Sequence, residues 1–361
     1  MSNFYNRDSI KNITLKPFSY ISKSVGTRGI FILALLLVQI FMLILTKSFS
    51  SLVLVLFAVF ASLCSELIYY FTKKKFASSF IYSMINGILA GLLIPSDYPP
   101  LAVFIITFFC FTICKYAWDG FGHSWVNPVA FTVLLLYFLN ADYFKTFALD
   151  FESVRIKNPA LILIQNGTVP VLPIDSKITE FLNKTVFNLF GIVIPEGYIS
   201  FFWDSGSNIA AFRFNFITLI SSIILLSFDM IDALIPSIFI FTYSVLVRFV
   251  LPLFLGEPSI HGDIFLALLT SGTLFSTLYL LQFFGTTPLS LCGKIFFAII
   301  SGFLAFFIIG FGTSSCGYIF VILCMNVISP VIQYFENLSV NKKLNKVLLP
   351  KIKALKEVDN V

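Results

Sequence analysis

Gly120-Phe121-Gly122-His123-Ser124 runs straight into a long apolar segment, and so does Gly310-Phe311-Gly312-Thr313-Ser314 far downstream. Each of these two stretches precedes the last apolar segment of its half of the chain. Counting crossings, the first lies on one face of a membrane and the second on the other. A motif repeated on opposite faces is the mark of an inverted repeat, an arrangement that often builds a midplane site between its halves. Gly-Phe-Gly can also recur by chance in a chain with 19 Gly and 45 Phe. The shared five-residue pattern and the matching position before a final span favour the repeat.

The membrane itself is read from composition. Of the residues, 58% are hydrophobic and 12% charged, against about 25% charged in soluble domains. Apolar stretches near the spanning length of about 17–25 residues fall near residues 30–46, 51–71, 80–95, 101–117, 126–141, 214–229, 235–253, 263–282, 294–310 and 318–334. The third and fifth are short and broken at one end by Pro, Gly or Asn, which is tolerated where exposed backbone faces protein or a cavity. Basic clusters at Arg7, Lys11, Lys16, Lys23 and Arg28, at Lys73, Lys74 and Lys75, and at Lys342, Lys343, Lys346, Lys351, Lys353 and Lys356 all share one side if there are ten crossings. By the positive-inside rule that side is cytoplasmic.

The expected fold is therefore an all-α polytopic membrane protein, with ten transmembrane helices as a five-plus-five inverted repeat. Its parts are a basic N-terminus (1–29), a first membrane half (30–141), an outside loop domain (142–213), a second half (214–335) and a basic tail (336–361). Both termini are expected in the cytoplasm of a bacterial-type inner membrane, with no cleavable signal peptide. The net charge of +6 belongs to the basic ends, which suit anionic lipid headgroups; no basic stripe points to nucleic acid. Within the loop domain, DSKITEFLNKTVFNLF (residues 175–190) carries apolar residues at helical spacing, with Asp175 or Ser176 as its N-cap.

With His123 and His261 as the two histidines, neither a His-based metal centre nor a catalytic triad is expected, and no phosphate-cradling or dinucleotide fingerprint appears. What remains is Gly, Asn, Thr and Ser at breaks between spans. The most pointed piece covers residues 115–129, from Lys115 through Gly120, Gly122 and His123 to Asn127-Pro128. Its glycines let backbone approach a ligand, and Asn127 caps a helix whose first residue is Pro128. A tight turn with Trp118 and Trp125 as interfacial anchors explains the same residues.

The run Asn86-Gly87-Ile88-Leu89-Ala90-Gly91-Leu92-Leu93-Ile94-Pro95, then Pro99-Pro100-Leu101, Lys115, Gly120-Phe121-Gly122-His123 and Asn127-Pro128 resembles the RnfD/NqrB family, membrane subunits of Rnf electron-transport complexes and of the related sodium-pumping NADH:quinone reductases. Gly293-Lys294, Gly302, Phe311-Gly312, Gly317, Phe320, Asn326 and Pro330 extend the likeness. The resemblance implies a flavin-carrying protein. It implies FMN joined by a phosphoester to a threonine of an outside loop, and a second flavin site within the membrane. Ser176-Lys177-Ile178-Thr179 is the best match to the attachment motif; it keeps Ser and Thr but not the Gly and Ala between them. Thr179 is the expected attachment point, with Ser176 and Lys177 beside it, and Thr168 and Thr185 are weaker candidates. A surface threonine in mid-helix is the plain alternative for Thr179. Gly122, His123, Asn127 and Gly285 are expected to line the inner site.

The chain also departs from that family. Gln282-Phe283-Phe284-Gly285-Thr286-Thr287-Pro288 lacks an Asp expected there, and Gly310, Cys316 and Gln333 stand where charged residues are usual. Charges at membrane depth are costly and functional, so their loss suggests altered chemistry on an inherited fold. The expected role is a membrane subunit of an Rnf-like ion-translocating complex, relaying electrons through FMN beside partner subunits in the bilayer. Two rivals share the layout: a transporter or channel, for which the lack of midplane charge favours a neutral solute, and a scaffold component that has lost redox function.

Overall fold

Apolar helix-forming runs interrupted by Pro, Gly and Asn produce a bundle, and the computed structural model describes it for residues 24–73, 78–118, 124–144, 159–165, 167–191, 193–255, 263–283, 286–310 and 314–358. Among these residues every regular element is helical, apart from one isolated antiparallel bridge between Pro95 and Ile209. The first group comprises α1 (Val25–Leu45), α2 (Phe49–Lys73), α3 (Ser78–Leu93), α4 (Pro100–Trp118) and α5 (Pro128–Leu139). A connecting segment carries α6 (Pro159–Gln165), α7 (Asp175–Thr185) and α8 (Tyr198–Trp203). The second group has α9 (Asn215–Ser227), α10 (Leu234–Val245), a π-helical turn (Leu246–Val250) leading into α11 (Leu251–Leu255), α12 (Ile264–Leu269), α13 (Thr273–Tyr279), α14 (Leu291–Ile309) and α15 (Gly317–Val358).

Among the described residues, six helices are long and apolar enough to cross a membrane: α1, α2, α4, α10 with its continuation to Phe254, α14 and the first part of α15. Large side chains such as Phe60, Phe109, Phe138, Phe241 and Phe307 stand exposed on these and neighbouring helices. A belt of that size is untenable in water and is what a lipid-facing surface requires. The chain is a multi-pass membrane protein. Helices α3, α5 and α9 are apolar but shorter. The expected single span over 263–282 is instead two short helices.

The break centres on a glycine packed against a distant ring. Gly272 sits at φ +65°, in the left-handed region open to glycine, and a Cβ there would strike the ring of Phe212. The carbonyls freed at the break find side-chain donors: Asn215 Nδ2 donates to Leu269 O at 3.1 Å and Ser271 Oγ to Ala267 O at 2.8 Å. Irregular backbone at membrane depth is thus buried in protein and satisfied.

Packing repeats between the two groups. In the first, α2 packs on α4 and α4 on α5; in the second, α10 packs on α14 and α14 on α15. Across the groups α1 meets α9 and α5 meets α15. Glycine permits the closest approaches: a Cβ on Gly91 of α3 would lie 2.5 Å from the Val55 Cα of α2, and one on Gly87 would lie 2.7 Å from the Val59 Cα. The connecting segment buries Ala160, Leu163, Ile164, Val169 and Phe201 in a cluster shared with Leu266, Leu269 and Leu274 of α12 and α13, so it is built onto the second group. Finally, α15 runs for 42 residues, about 63 Å at 1.5 Å per residue. The span expected over 318–334 and much of the basic tail are therefore one continuous helix.

Candidate functional site

Three features stand out. The first is a groove of about 820 Å³ between the connecting segment and the second helix group, lined by Thr179, Asn183, Tyr198, Phe202, Trp203, Phe216, Arg248, Asp263 and Phe265 among others. Its size lies within the usual range of about 300–1,000 Å³ for ligand sites. Arg248 reaches it from the π-helical turn, a local widening that recurs at functional positions.

Thr179 lines this groove but is buried, and its hydroxyl donates to Asp175 Oδ1 at 2.9 Å. It is therefore not the surface residue of the plain alternative. Asp175 does not cap its own helix either: the N-cap of α7 is Ile174, without a side-chain bond. The carboxylate reaches across to the start of α8, accepting from Gly197 N at 2.9 Å, Ser200 N at 2.7 Å and Ser200 Oγ at 2.5 Å. The expected capping chemistry is present but serves a different helix, because the first N–H groups of α8 are buried beside it and otherwise unpaired. Burial raises the Asp175 carboxyl, but the bonds from Ser200, Gly197 and Thr179 outweigh it and hold the group below the ordinary carboxylate range. Ser176 and Lys177 are exposed and do not line the groove; Thr168 and Thr185 are exposed too, the latter donating to Phe181 O at 2.7 Å.

A flavin fits the groove walls, with aromatic faces for a ring system and Arg248 for a phosphate. A phosphoester at Thr179 would break this arrangement. Esterification would remove the proton that Thr179 donates to Asp175 and set a phosphate anion against that carboxylate.

The second feature is a cavity of about 260 Å³ where α1, α3, α9, α10 and α13 converge, lined by Arg28, Tyr82, Asn86, Asp232, Tyr279, Gln282 and Lys294 together with aliphatic side chains. Lys294 pairs with Asp232, and Gln282 holds the Asp232 backbone from both sides, accepting its N–H at 3.0 Å and donating to its carbonyl at 2.7 Å. Burial raises the Asp232 carboxyl, yet the bonds from Lys294 and Leu234 N prevail and keep it low.

The third is a buried charge pair of which the sequence motifs mark Lys115 but not its partner. Lys115 of α4 and Glu66 of α2 are 1% and 0% exposed and form an ion pair. Ser83 of α3 joins them, donating to Glu66 Oε2 at 2.7 Å and accepting from Lys115 Nζ at 2.8 Å. Lys115 lies in the last turn of α4, where the helix dipole favours a cation. A lone acid inside the apolar run of α2 was the available signal; a carboxylate at that depth demands a partner.

Asn127 is the inner-site candidate that falls among the described residues. Its Oδ1 accepts from Val129 N at 3.0 Å and Ala130 N at 3.3 Å, the expected cap of α5, while Nδ2 donates to Leu280 O at 3.3 Å just past α13. It ties the short helix of one group to the broken helix of the other. Gly122, His123 and Gly285 lie outside the described residues.

The model of the NQR2, RnfD, RnfE family matches residues 12–341. A subunit of the ion-translocating oxidoreductase complex of Buchnera aphidicola subsp. Baizongia pistaciae (strain Bp) is 27% identical over 313 residues, which span 78% of this chain and 85% of that protein.

Proposed function

Because the chain belongs to the NQR2, RnfD, RnfE family, we propose that it is a membrane subunit of an ion-translocating electron-transport complex, working beside partner subunits in the inner membrane. The observation that carries this reading is the match across nearly the whole bundle, reinforced by the name of the Buchnera relative. Ten membrane helices in a five-plus-five inverted repeat belong to the proposal. It is supported by the α1–α9 and α5–α15 contacts, each between equivalent members of the two groups, and by the matched α2–α4 and α10–α14 packing. With that topology the basic clusters support a cytoplasmic side for both termini and an outside position for the large groove.

In this reading FMN occupies the groove. When bound, a flavin supplies electron transfer. The protein's part is to stack the ring against Trp203, Phe202 or Phe216, to meet the phosphate with Arg248, and to exclude water with the lid made by α7 and α8. Asp175 keeps that lid in place through Thr179 and Ser200. For a second flavin, Asn127 is the described residue that favours the junction of the two groups.

The test is flavin analysis of the purified chain. Native protein is expected to carry FMN that is released on denaturation, leaving the peptide around Thr179 unmodified by mass. Trp203→Ala and Arg248→Ala should each lower the flavin content. Protein isolated intact with its complex and free of flavin would refute the redox reading, and an FMN-sized mass on Thr179 would refute the arrangement of Asp175 described above.

A further inference from the structure

We propose that the cavity between α1, α3 and α13 is a binding site for a small organic monoanion: a carboxylate carried on a compact apolar body. The proposal is independent of the flavin reading, since it uses none of the groove residues.

The argument begins with donors that have no acceptor. Asn86 is 1% exposed and lines the cavity, yet its amide Nδ2 has no hydrogen-bond partner among the described residues. The Nε of Arg28, on the facing helix, is likewise buried and unpartnered among them. Buried polar groups are satisfied in the great majority of cases, and each exception calls for a reason. The Tyr279 hydroxyl, which also borders this cavity, is the third such group; all three can donate, two of them only donate, and one acceptor placed among them would serve the set.

Charge narrows the class. The lining holds two cations, Arg28 and Lys294, against one carboxylate, Asp232, which Lys294 already engages. One positive charge is left over, and it sits on a guanidinium, whose fork matches a carboxylate. Much of the remaining wall is apolar, with Ile85, Leu89 and Leu278 beside Tyr82, Gln282 and Thr287, so the body of the ligand is largely apolar too. The volume of about 260 Å³ exceeds the roughly 150 Å³ that accommodates benzene and leaves room for one ring and its carboxylate.

Calorimetric titration of the full chain in detergent with benzoate, and separately with neutral benzamide, tests the assignment. Benzoate is expected to bind at a single saturable site and benzamide to give no saturable heat. Arg28→Met and Asn86→Leu should each weaken benzoate about tenfold or more, the loss expected for one hydrogen bond to a charged group. Asn86→Leu should also leave the thermal midpoint unchanged or higher, because it removes an unsatisfied buried amide; an asparagine with a purely structural role would lower it. Arg28 is half-buried at the start of its helix, so Arg28→Met keeps the test decisive should Asn86→Leu fail to fold. Equal binding of benzamide, benzoate binding unchanged in Arg28→Met, or no saturable benzoate binding to the wild type would each overturn the proposal.

Discussion

Replacing Lys115 with Met removes one half of the buried pair and takes a cation away from Glu66 in a site 0% exposed. Ser83 still donates to the carboxylate at 2.7 Å, but one hydroxyl does not replace a cation in a low-dielectric interior. Breaking such a pair from one side costs about 3–5 kcal/mol. The Lys115 stem is apolar and Met fills much of its volume, so packing loss adds little and the figure reports the lost charge pairing. Equilibrium unfolding in mixed micelles with rising sodium dodecyl sulfate gives the shift directly. The reasoning is sharpened by the double substitution Glu66→Leu with Lys115→Met. Replacing both charges by apolar groups of similar size is often neutral or stabilising, so the double variant should unfold close to wild type and recover nearly all of the single-variant loss. A double variant as unstable as the single one would refute the account, because the loss would then come from shape and not from charge. A single variant within about 1 kcal/mol of wild type would refute it as well, since that is the range of a solvated pair.

Two other outcomes follow from the packing and the connecting segment. Gly91→Ala places a Cβ against the Val55 backbone and should destabilise by about 1–3 kcal/mol, whereas Gly26→Ala, whose nearest neighbour is Ser24 Oγ at 3.9 Å, should be neutral; thermal midpoints of the two in one detergent make the comparison. Asp175 has a folded-state pKa below its ordinary value, so its contribution is complete above the unfolded pKa of about 3.9 and declines as pH falls toward the folded value. Limited proteolysis across acid pH should show the 175–200 region opening as the medium is acidified, and Asp175→Asn should open it at neutral pH and flatten that dependence. Unchanged protection in the variant would show that the carboxylate does not hold the two helices together.

What was legible in the sequence was whatever depends on neighbours along the chain. Hydropathy located most of the apolar helices to within a few residues, and Asn127-Pro128 announced a helix start that forms with the expected bonds. The eighth stretch was apolar enough to read as one span; its interruption depends on Phe212 lying where a Cβ of residue 272 would go, a fact of tertiary packing. The same limit explains Asp175. An acid at the head of a helical pattern is a sound cap signal, but which helix it serves was decided by the fold, which brings Gly197 and Ser200 within 3 Å of its carboxylate. Glu66 and Lys115 are 49 residues apart and became a pair only when α2 and α4 packed together.

Thr179 shows why such distant partners decide chemistry and not stability alone. Its position in Ser176-Lys177-Ile178-Thr179 suggests an attachment point, and the groove beside it has the size for the cofactor. A hydroxyl can be esterified only if it is reachable and its proton dispensable. Here it is 3% exposed and donates that proton to a carboxylate which also takes three bonds from α8. Modifying Thr179 would cost the bond it donates to Asp175, the carboxylate that also holds the start of α8. Loss of the glycine and alanine that precede the threonine in the related motif fits this role: Lys177 is exposed, and Ile178 faces the groove wall, completing a helix whose threonine is committed to structure. In the proposed reading flavin is retained by Arg248 and the aromatic walls, and the Trp203→Ala and Arg248→Ala variants separate that mode of binding from a covalent one.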